Sequence, residues 1–249
     1  MNKYHGVSVA TKLAFTTLRE DQGEPLFWSM HWQRLLKSWK YFGLPSVPNE
    51  KELFLKVCQF FKEQPDQILR IDLLNDQRFE FNSRPLVCRD SEALLKLSLS
   101  QNRLMKRSIP PWLKAGDYSW RMSQRELARK KNFDDYLYLD EQEKIAEATV
   151  SNLIWCKGST FFTPQVSEYI LQGITVSLFL ENHKNNFTCS IFDLNDLLGA
   201  DAAWLVNAVT GPQRIASLDQ HKFSSKLPQV DLDQLYWGLV KQDRKTRSE

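Results

Sequence analysis

At the centre of this sequence is the stretch Ile145-Ala146-Glu147-Ala148-Thr149-Val150-Ser151-Asn152-Leu153-Ile154-Trp155, and two shorter segments flank it. Before it stands Trp112-Leu113-Lys114-Ala115-Gly116-Asp117-Tyr118, and after it Gln172-Gly173-Ile174-Thr175. The three segments offer an amine, a carboxylate, and a glycine turn before a predicted helix. None of them is diagnostic alone, because lysines are usually solvated and strand glutamates usually point to water. Only the three segments together, in this order and at this spacing, are informative.

The composition is that of an ordinary folded protein. The chain has 249 residues, of which 42% are hydrophobic and 25% charged. Its net charge of +3 is too small to imply a polyanionic partner. The four cysteines form no CxxC pair, which argues against a zinc site or a disulfide framework. The uncharged runs are shorter than the roughly 20 residues of a membrane helix, and the N-terminus lacks a signal-peptide core. We expect a cytoplasmic protein without a membrane partner.

Hydrophobic periodicity predicts strands mixed with helices in two lobes. The predicted strands are 7–20, 68–74, 93–99, 135–140, 144–149, 152–157 and 160–163, and the last four form two hairpins. The predicted helices are 26–42, 49–62, 121–131, 173–182 and 231–245, with Asn49 and Glu52 as a capping pair for the second. A polar and aromatic turn region is expected between the strands 68–74 and 93–99. Pro110-Pro111 predicts a break, giving an N-terminal lobe 1–105, a linker 106–113 and a C-terminal lobe 114–249.

The three segments resemble the lysine, glutamate and Gly-Ile-Thr motifs of the fold-type IV, or class IV, pyridoxal phosphate enzymes. That family contains the branched-chain aminotransferases, the D-amino acid transaminases and 4-amino-4-deoxychorismate lyase, and the resemblance extends over residues 12–219. It implies a mixed α/β, two-lobed fold like that of D-amino acid aminotransferase, with the cofactor between the lobes. It also implies that the cofactor is pyridoxal 5'-phosphate and that the protein is a homodimer.

Pyridoxal phosphate chemistry requires a lysine that forms an imine and a carboxylate that faces the pyridine nitrogen. By resemblance, Lys114 of Lys-Ala-Gly-Asp-Tyr is that lysine, and Glu147 is the carboxylate. Asn152 matches the asparagine of the family's Ser-Asn-Leu-Phe segment and is expected to support the cofactor site. Tyr118 matches a tyrosine that some transaminases carry after the lysine, although a core tyrosine is an equally good interpretation.

The phosphate needs backbone N–H groups, best at a helix N-terminus, and a cation. By resemblance, Ile174 and Thr175 donate the N–H groups, because Gly-Ile-Thr is the family's phosphate-binding turn. By resemblance, Arg34 is the cation that binds the phosphate. It lies in a segment similar to the family's His-x-x-Arg-Leu-x-x-Ser helix. Val209 and Thr210 match a second phosphate-side loop.

The substrate side of the resemblance favours the lyase. Phe15-Thr16-Thr17-Leu18-Arg19 is similar to the lyase's Phe-Thr-Thr-x-Arg strand, and Asn207 begins a pair like its Asn-Ala. This implies elimination of pyruvate from an amino substrate, leaving 4-aminobenzoate for folate synthesis. Phe15, Thr17 and Asn207 are the expected substrate residues, with Arg78 as a candidate for a substrate carboxylate.

A class IV aminotransferase acting on branched-chain or D-amino acids stays open as the alternative. Tyr118 is typical of transaminases, and the family's Gly-Asp-Gly is missing from residues 4–14. The loop 75–79 is also shorter than in family members, so the substrate pocket is the part that the resemblance defines least.

Other kinds of chemistry have little support. The four histidines show no paired-ligand spacing, so no metal is expected, and no GxSxG, P-loop or GxGxxG is present. Basic residues cluster at 103–107 and 125–131 but with few aromatic residues among them. A non-catalytic nucleic-acid-binding module is therefore only an out-of-class alternative, and a small-molecule amino substrate is the expected partner.

Overall fold

The computed structural model describes residues 10–87, 93–116, 118–224 and 230–248. They form two compact units. The first unit runs to Leu86 and also contains Lys114–Gly116, and the second holds the remaining described residues. Residues 106–113, the linker of the sequence prediction, cluster with the second unit. The start of the predicted first strand, at residues 7–9, lies outside the described residues.

The first unit is a four-stranded antiparallel sheet packed with two helices. Its strands are β1 (Lys12–Asp21), β2 (Glu24–Pro25), β3 (Gln67–Leu74) and β4 (Phe79–Pro85). In the sheet they lie side by side in the order β2-β1-β3-β4. Its helices are α1 (Trp28–Tyr41) and α2 (Glu50–Glu63). Both helices confirm the sequence prediction.

The helices of the first unit follow from apolar residues at helical spacing. Trp28, Trp32 and Leu35 lie on one face of α1 and pack with Leu18 of β1 and Val57 of α2 in a buried core. The predicted cap of α2 is confirmed, since the Asn49 side chain accepts a hydrogen bond from the backbone N–H of Glu52.

Strand β4 corrects the expectation of a turn region between the strands 68–74 and 93–99. Only residues 75–78 form the turn, and β4 then pairs antiparallel with β3. The strand is at the sheet edge and largely exposed, so polar residues occupy most of its positions. It therefore lacks the apolar alternation by which strands are recognised in a sequence.

The second unit is built on a nine-stranded sheet. Its strands are β5 (Leu95–Leu99), β6 (Asp135–Leu139), β7 (Ile145–Ala148), β8 (Asn152–Lys157), β9 (Thr160–Pro164), β10 (Phe187–Ser190), β11 (Ala202–Asn207), β12 (Gly211–Leu218) and β13 (His221–Lys222). They follow the order β10-β9-β8-β11-β12-β5-β6-β7, with β13 beside β12. The two predicted hairpins, β6–β7 and β8–β9, are confirmed as antiparallel pairs.

Helices cover this sheet and complete the second unit. They are α3 (Ser119–Lys130), α4 (Ile174–Asn182), α5 (Leu194–Leu198) and α6 (Leu232–Ser248), with a short 3-10 turn at Lys184–Asn186. Trp155 and Trp204, on neighbouring strands, are among its largest fully buried side chains. Among the residues that the structure describes, no helix combines the length and apolar character that crossing a bilayer requires.

Candidate active site

Lys114 is tied to the first strand of the first unit. Its carbonyl oxygen accepts a 2.8 Å hydrogen bond from the backbone N–H of Phe15 in β1. Its Nζ atom lies 4.9 Å from the centroid of the Phe15 ring, and the guanidinium carbon of Arg70 lies 3.6 Å from the same centroid. The buried ring of Phe15 thus contacts two cations, which its π electrons attract. The structure brings together Lys114 and one of the predicted substrate residues.

Arg34 lies on α1 beside a buried histidine that joins this helix to β1. His31 Nδ1 and the Thr16 hydroxyl are 2.6 Å apart. Burial holds the pKa of His31 well below its ordinary value, and the charges of Arg34 and Lys114 lower it further. A neutral His31 therefore supports the helix that carries Arg34 without adding a charge. The Arg34 side chain itself is half-buried.

The other two predicted substrate residues of the first unit differ in their surroundings. Thr17 is half-buried in β1 and lies opposite Arg70 of β3 in the sheet register. Arg78 lies in the turn after β3, where its side chain is 71% exposed and pairs with Asp76 at 2.6 Å.

Glu147 lies on β7 and is buried, with 3% of its surface exposed. Its Oε2 atom accepts hydrogen bonds from the backbone N–H of Leu171 at 3.0 Å and from the Asn152 amide at 3.3 Å. The same amide nitrogen donates to the Leu171 carbonyl at 2.9 Å. This glutamate therefore does not point to water as a typical strand glutamate does, and Asn152 supports it directly.

Arg121 of α3 is a third partner of Glu147, and it was not predicted from the sequence. Its Nη2 atom lies 2.8 Å from Glu147 Oε1. Burial raises the pKa of Glu147 above its ordinary value, and the positive charge of Arg121 opposes the rise. Tyr118 precedes this helix, with its ring centroid 5.6 Å from the guanidinium carbon of Arg121. One signal was present, since Arg121 and Arg125 are four residues apart on a predicted helix and so share a face.

The turn Gly173-Ile174-Thr175 forms the N-terminus of α4, as predicted. The first N–H groups of a helix have no partner within it, and the helix dipole adds partial positive charge there. Thr175 is buried, and its hydroxyl has no hydrogen-bond partner among the described residues. A Cβ atom on Gly173 would lie 1.8 Å from Asn152 Oδ1. The side chain of Asn152 therefore lies against this turn and also bonds Glu147.

Asn207 shapes the loop between β11 and β12. Its amide nitrogen donates to the Ser151 hydroxyl at 2.9 Å. Its Oδ1 atom accepts from the backbone N–H groups of Val209 and Thr210, both at 2.9 Å. These two N–H groups are thus engaged within the loop, and Asn207 acts here as the residue that holds the turn.

A comparison with protein families decides the identity of the chain. The model of the family "Amino-transferase class IV" matches residues 13–218. The chain belongs to this family. Two curated relatives of the chain have different names. The aminodeoxychorismate lyase of Bacillus subtilis is 36% identical over 76 residues, which are 29% of this chain and 26% of that protein. A probable branched-chain-amino-acid aminotransferase of Rickettsia typhi is 27% identical over 172 residues, 62% of this chain and 59% of that protein. The chain thus matches less than two thirds of either relative's length.

Solved structures confirm the class IV fold. A putative 4-amino-4-deoxychorismate lyase from Legionella pneumophila superposes with a TM-score of 0.76 at 22% identity, covering 92% of this chain and 90% of that one. A hypothetical aminotransferase from Mycobacterium tuberculosis, solved in a PLP-bound form, gives 0.71 at 18% identity, with 92% and 88% covered. At these identities the likeness concerns the fold.

The residues of this class IV chain fit pyridoxal phosphate. In the second unit, the N-terminus of α4 suits an anion, since the buried Thr175 hydroxyl there has no hydrogen-bond partner within the described ranges. The buried carboxylate of Glu147 suits a protonated ring nitrogen, because an uncompensated cation would be costly to bury. Lys114 in the first unit has the amine that a carbonyl cofactor requires.

Proposed function

We propose that the protein is a pyridoxal phosphate-dependent enzyme whose Lys114 binds the cofactor covalently. The observation that carries this proposal is the link through Asn152, which bonds the buried Glu147 carboxylate and lies against the turn at the start of α4. A carboxylate and an anion-binding turn held by one side chain match the two ends of this cofactor. When bound, pyridoxal phosphate would supply an electron sink for the carbon that bears the substrate's amino group.

Each predicted cofactor residue has a role in this proposal. Ile174 and Thr175 donate backbone N–H groups to the phosphate, and the Thr175 hydroxyl adds a hydrogen bond. Arg34 supplies the cation, whose charge-assisted hydrogen bonds add to those of the backbone N–H groups. Thr210 contributes through its hydroxyl and Val209 through contact, since their N–H groups already donate to Asn207.

The remaining roles concern the ring and the reacting amine. Glu147 keeps the pyridine nitrogen protonated, and Asn152 orients Glu147. Tyr118 lines the ring side of the site. The amine of Lys114 would be the base that removes the proton from the substrate carbon next to nitrogen.

For the reaction we propose a 4-amino-4-deoxychorismate lyase, which eliminates pyruvate and leaves 4-aminobenzoate, a precursor in folate synthesis. The support is the Bacillus subtilis relative, together with Phe15, Thr17 and Asn207 at the positions of the lyase motifs. Phe15 and Thr17 face the substrate, and Asn207 contributes through the loop that it holds. Arg78 is proposed to bind a substrate carboxylate.

An aminotransferase is the second candidate. Tyr118 and the Rickettsia typhi relative favour it. Lys114 and Glu147 have the same roles in both reactions, so the two candidates differ in the substrate pocket alone.

The cofactor is tested by adding pyridoxal phosphate to the purified protein and recording its absorption. We expect a visible band, and borohydride reduction should fix the label on Lys114, as peptide mapping would show. Lys114→Ala is the matched control, since it removes the amine but leaves the phosphate turn. Label on a different lysine would disprove the assignment.

The reaction is tested with two substrates in parallel. With aminodeoxychorismate, the lyase releases pyruvate and 4-aminobenzoate. With an L- or D-amino acid and 2-oxoglutarate, an aminotransferase exchanges the amino group instead. Exchange without elimination would reject the lyase in favour of the second candidate.

We also propose that the protein is a cytoplasmic homodimer. One chain has a mass of 29.2 kDa, and light scattering at micromolar concentration should give twice that mass. A mass of one chain at that concentration would contradict the dimer.

A further inference from the structure

Arg121 binds the end of β7 at several points. Besides Glu147 Oε1, its guanidinium contacts the Thr149 carbonyl, to which Nη1 donates at 3.0 Å. The side chain is 15% exposed and that of Glu147 is 5% exposed, so water screens this ion pair only weakly. One arginine thus fixes both the glutamate and the backbone two residues beyond it.

Arg121 gives the second oxygen of the Glu147 carboxylate an ion-pair partner. Oε2 of Glu147 accepts from the Leu171 N–H and from Asn152, whereas Oε1 faces Arg121. Both oxygens therefore have a fixed direction. Arg125, one turn later on α3, lies 3.4 Å from the buried Asp135 of β6. The helix thus presents two arginines to two acidic residues, and only one of these acids belongs to the proposed cofactor site.

The charged and polar groups that face Glu147 come from four segments. They are Arg121 of α3, Arg107, the Asn152 amide of β8 and the Leu171 N–H. Arg107 acts at a distance, because its guanidinium donates to the carbonyls of Pro111 and Leu113. Arg121 is the cation in direct contact. Buried ion pairs add little to stability over apolar packing, so the pair is not explained by folding alone.

We propose that Arg121 is a positioning residue that holds Glu147 as an oriented carboxylate for the pyridine nitrogen of the cofactor. The inference rests on the proposed function and deepens it. Without Arg121, burial favours the neutral acid at position 147. A neutral acid offers the ring nitrogen no counter-charge, although it still occupies the same place.

The test follows the ionisation of Glu147 in the cofactor-free protein. Glutamate labelled with ¹³C at the side-chain carboxyl is followed by NMR against pH, and Glu147→Gln identifies the signal of this residue. We expect Glu147 to be ionised at pH 7 in the wild type. In Arg121→Gln its midpoint should rise by about one to three pH units, as expected for loss of an adjacent opposite charge. Arg125→Gln is the matched control and should leave the midpoint unchanged.

A second variant keeps the test decisive if Arg121→Gln folds poorly. Arg121→Lys retains the charge but not the planar fork, so Glu147 should stay ionised at pH 7. An unchanged midpoint in Arg121→Gln, an equal shift in Arg125→Gln, or a neutral Glu147 in Arg121→Lys would overturn the inference. Borohydride labelling of Lys114 reports separately on the proposed function. Normal labelling with an unmoved midpoint rejects only the role of Arg121, whereas absence of labelling in the wild type rejects the cofactor proposal.

Discussion

Replacing Gly173 by alanine tests whether the side chain of Asn152 holds the turn and the carboxylate together. The backbone at Gly173, with φ −74° and ψ 139°, accepts any L-residue. The obstacle is the Asn152 side chain, because the new Cβ would lie 1.8 Å from its Oδ1 and 3.0 Å from its Cγ. The amide must therefore leave its place, and it loses its bonds to Glu147 and to the Leu171 carbonyl.

The magnitude follows from these two bonds. A hydrogen bond to a neutral group contributes about 1 kcal/mol, and one to a charged group about 1.5 kcal/mol at the low end of its range. The low end suits the 3.3 Å bond to Glu147. Alanine recovers about 0.5 kcal/mol by restricting the unfolded chain. We expect Gly173→Ala to lower the free energy of unfolding by about 2 kcal/mol and Asn152→Ala by about 2.5 kcal/mol.

The double variant separates the clash from other causes. Once Asn152 is alanine, the Cβ at position 173 meets no amide, so the double variant should lose only about 2 kcal/mol instead of the additive sum. Urea unfolding of the cofactor-free proteins, followed by tryptophan fluorescence, measures all three. Gly238→Ala is the control, because this glycine lies within α6 and no atom of the described residues is within 4 Å of an added Cβ. It should gain about 0.5–1 kcal/mol. Additive losses in the double variant would refute the role given to Asn152.

Three further predictions concern single side chains. Thr175→Val removes a buried hydroxyl that has no hydrogen-bond partner in the part of the chain that the structure describes. The free energy of unfolding of the cofactor-free protein in urea should therefore rise by about 1 kcal/mol, while the affinity for pyridoxal phosphate falls about tenfold. Weaker stability together with unchanged affinity would contradict this. Burial, and then the neighbouring Asp231, raise the pKa of Asp233 from 3.8 to about 6. The stability that this raised pKa contributes is fully present below about pH 4 and is lost as the pH rises through about 6. The melting temperature of Asp233→Asn should therefore rise progressively above that of the wild type between these two pH values. A difference in melting temperature that stays constant with pH would count against this. Glu147→Gln should fold and still accept a borohydride label on Lys114, but turn over about a hundredfold more slowly, a loss of about 2.7 kcal/mol in transition-state stabilisation; wild-type turnover would leave Glu147 as only a strand residue.

The sequence predicts those elements of this fold whose apolar pattern is periodic. Helices α1 and α2 and the hairpin β6–β7 follow from such patterns, and the structure confirms them. Strand β11 was missed because Ala202–Asn207 is buried on both faces and does not alternate. Strand β4 was missed for the opposite reason, since an exposed edge strand carries too few apolar residues.

The candidate site is predictable where a motif is local and unpredictable where it depends on tertiary contact. The Gly-Ile-Thr turn spans three consecutive residues, and the structure places it at a helix start as expected. Arg121 meets Glu147 only because α3 packs on the strand that carries the glutamate. Likewise, the engagement of the Val209 N–H by Asn207 is a property of the folded loop. The four-residue spacing of Arg121 and Arg125 indicates a shared helix face, but it does not identify the partner of either arginine. The contact made by Asn207 leaves no spacing pattern in the sequence.

The attachment of Lys114 to β1 bears on how this protein can be recombined with its relatives. Lys114–Gly116 cluster with the first unit although the chain between them and Leu86 belongs to the second. A chimera joined at a single crossover near residue 87 would therefore take Lys114 from one parent and its partner Phe15 from the other. A functional exchange of the first unit needs two crossovers, so that the tripeptide travels with the N-terminal donor. In libraries built with that rule, Lys114 and β1 come from the same parent.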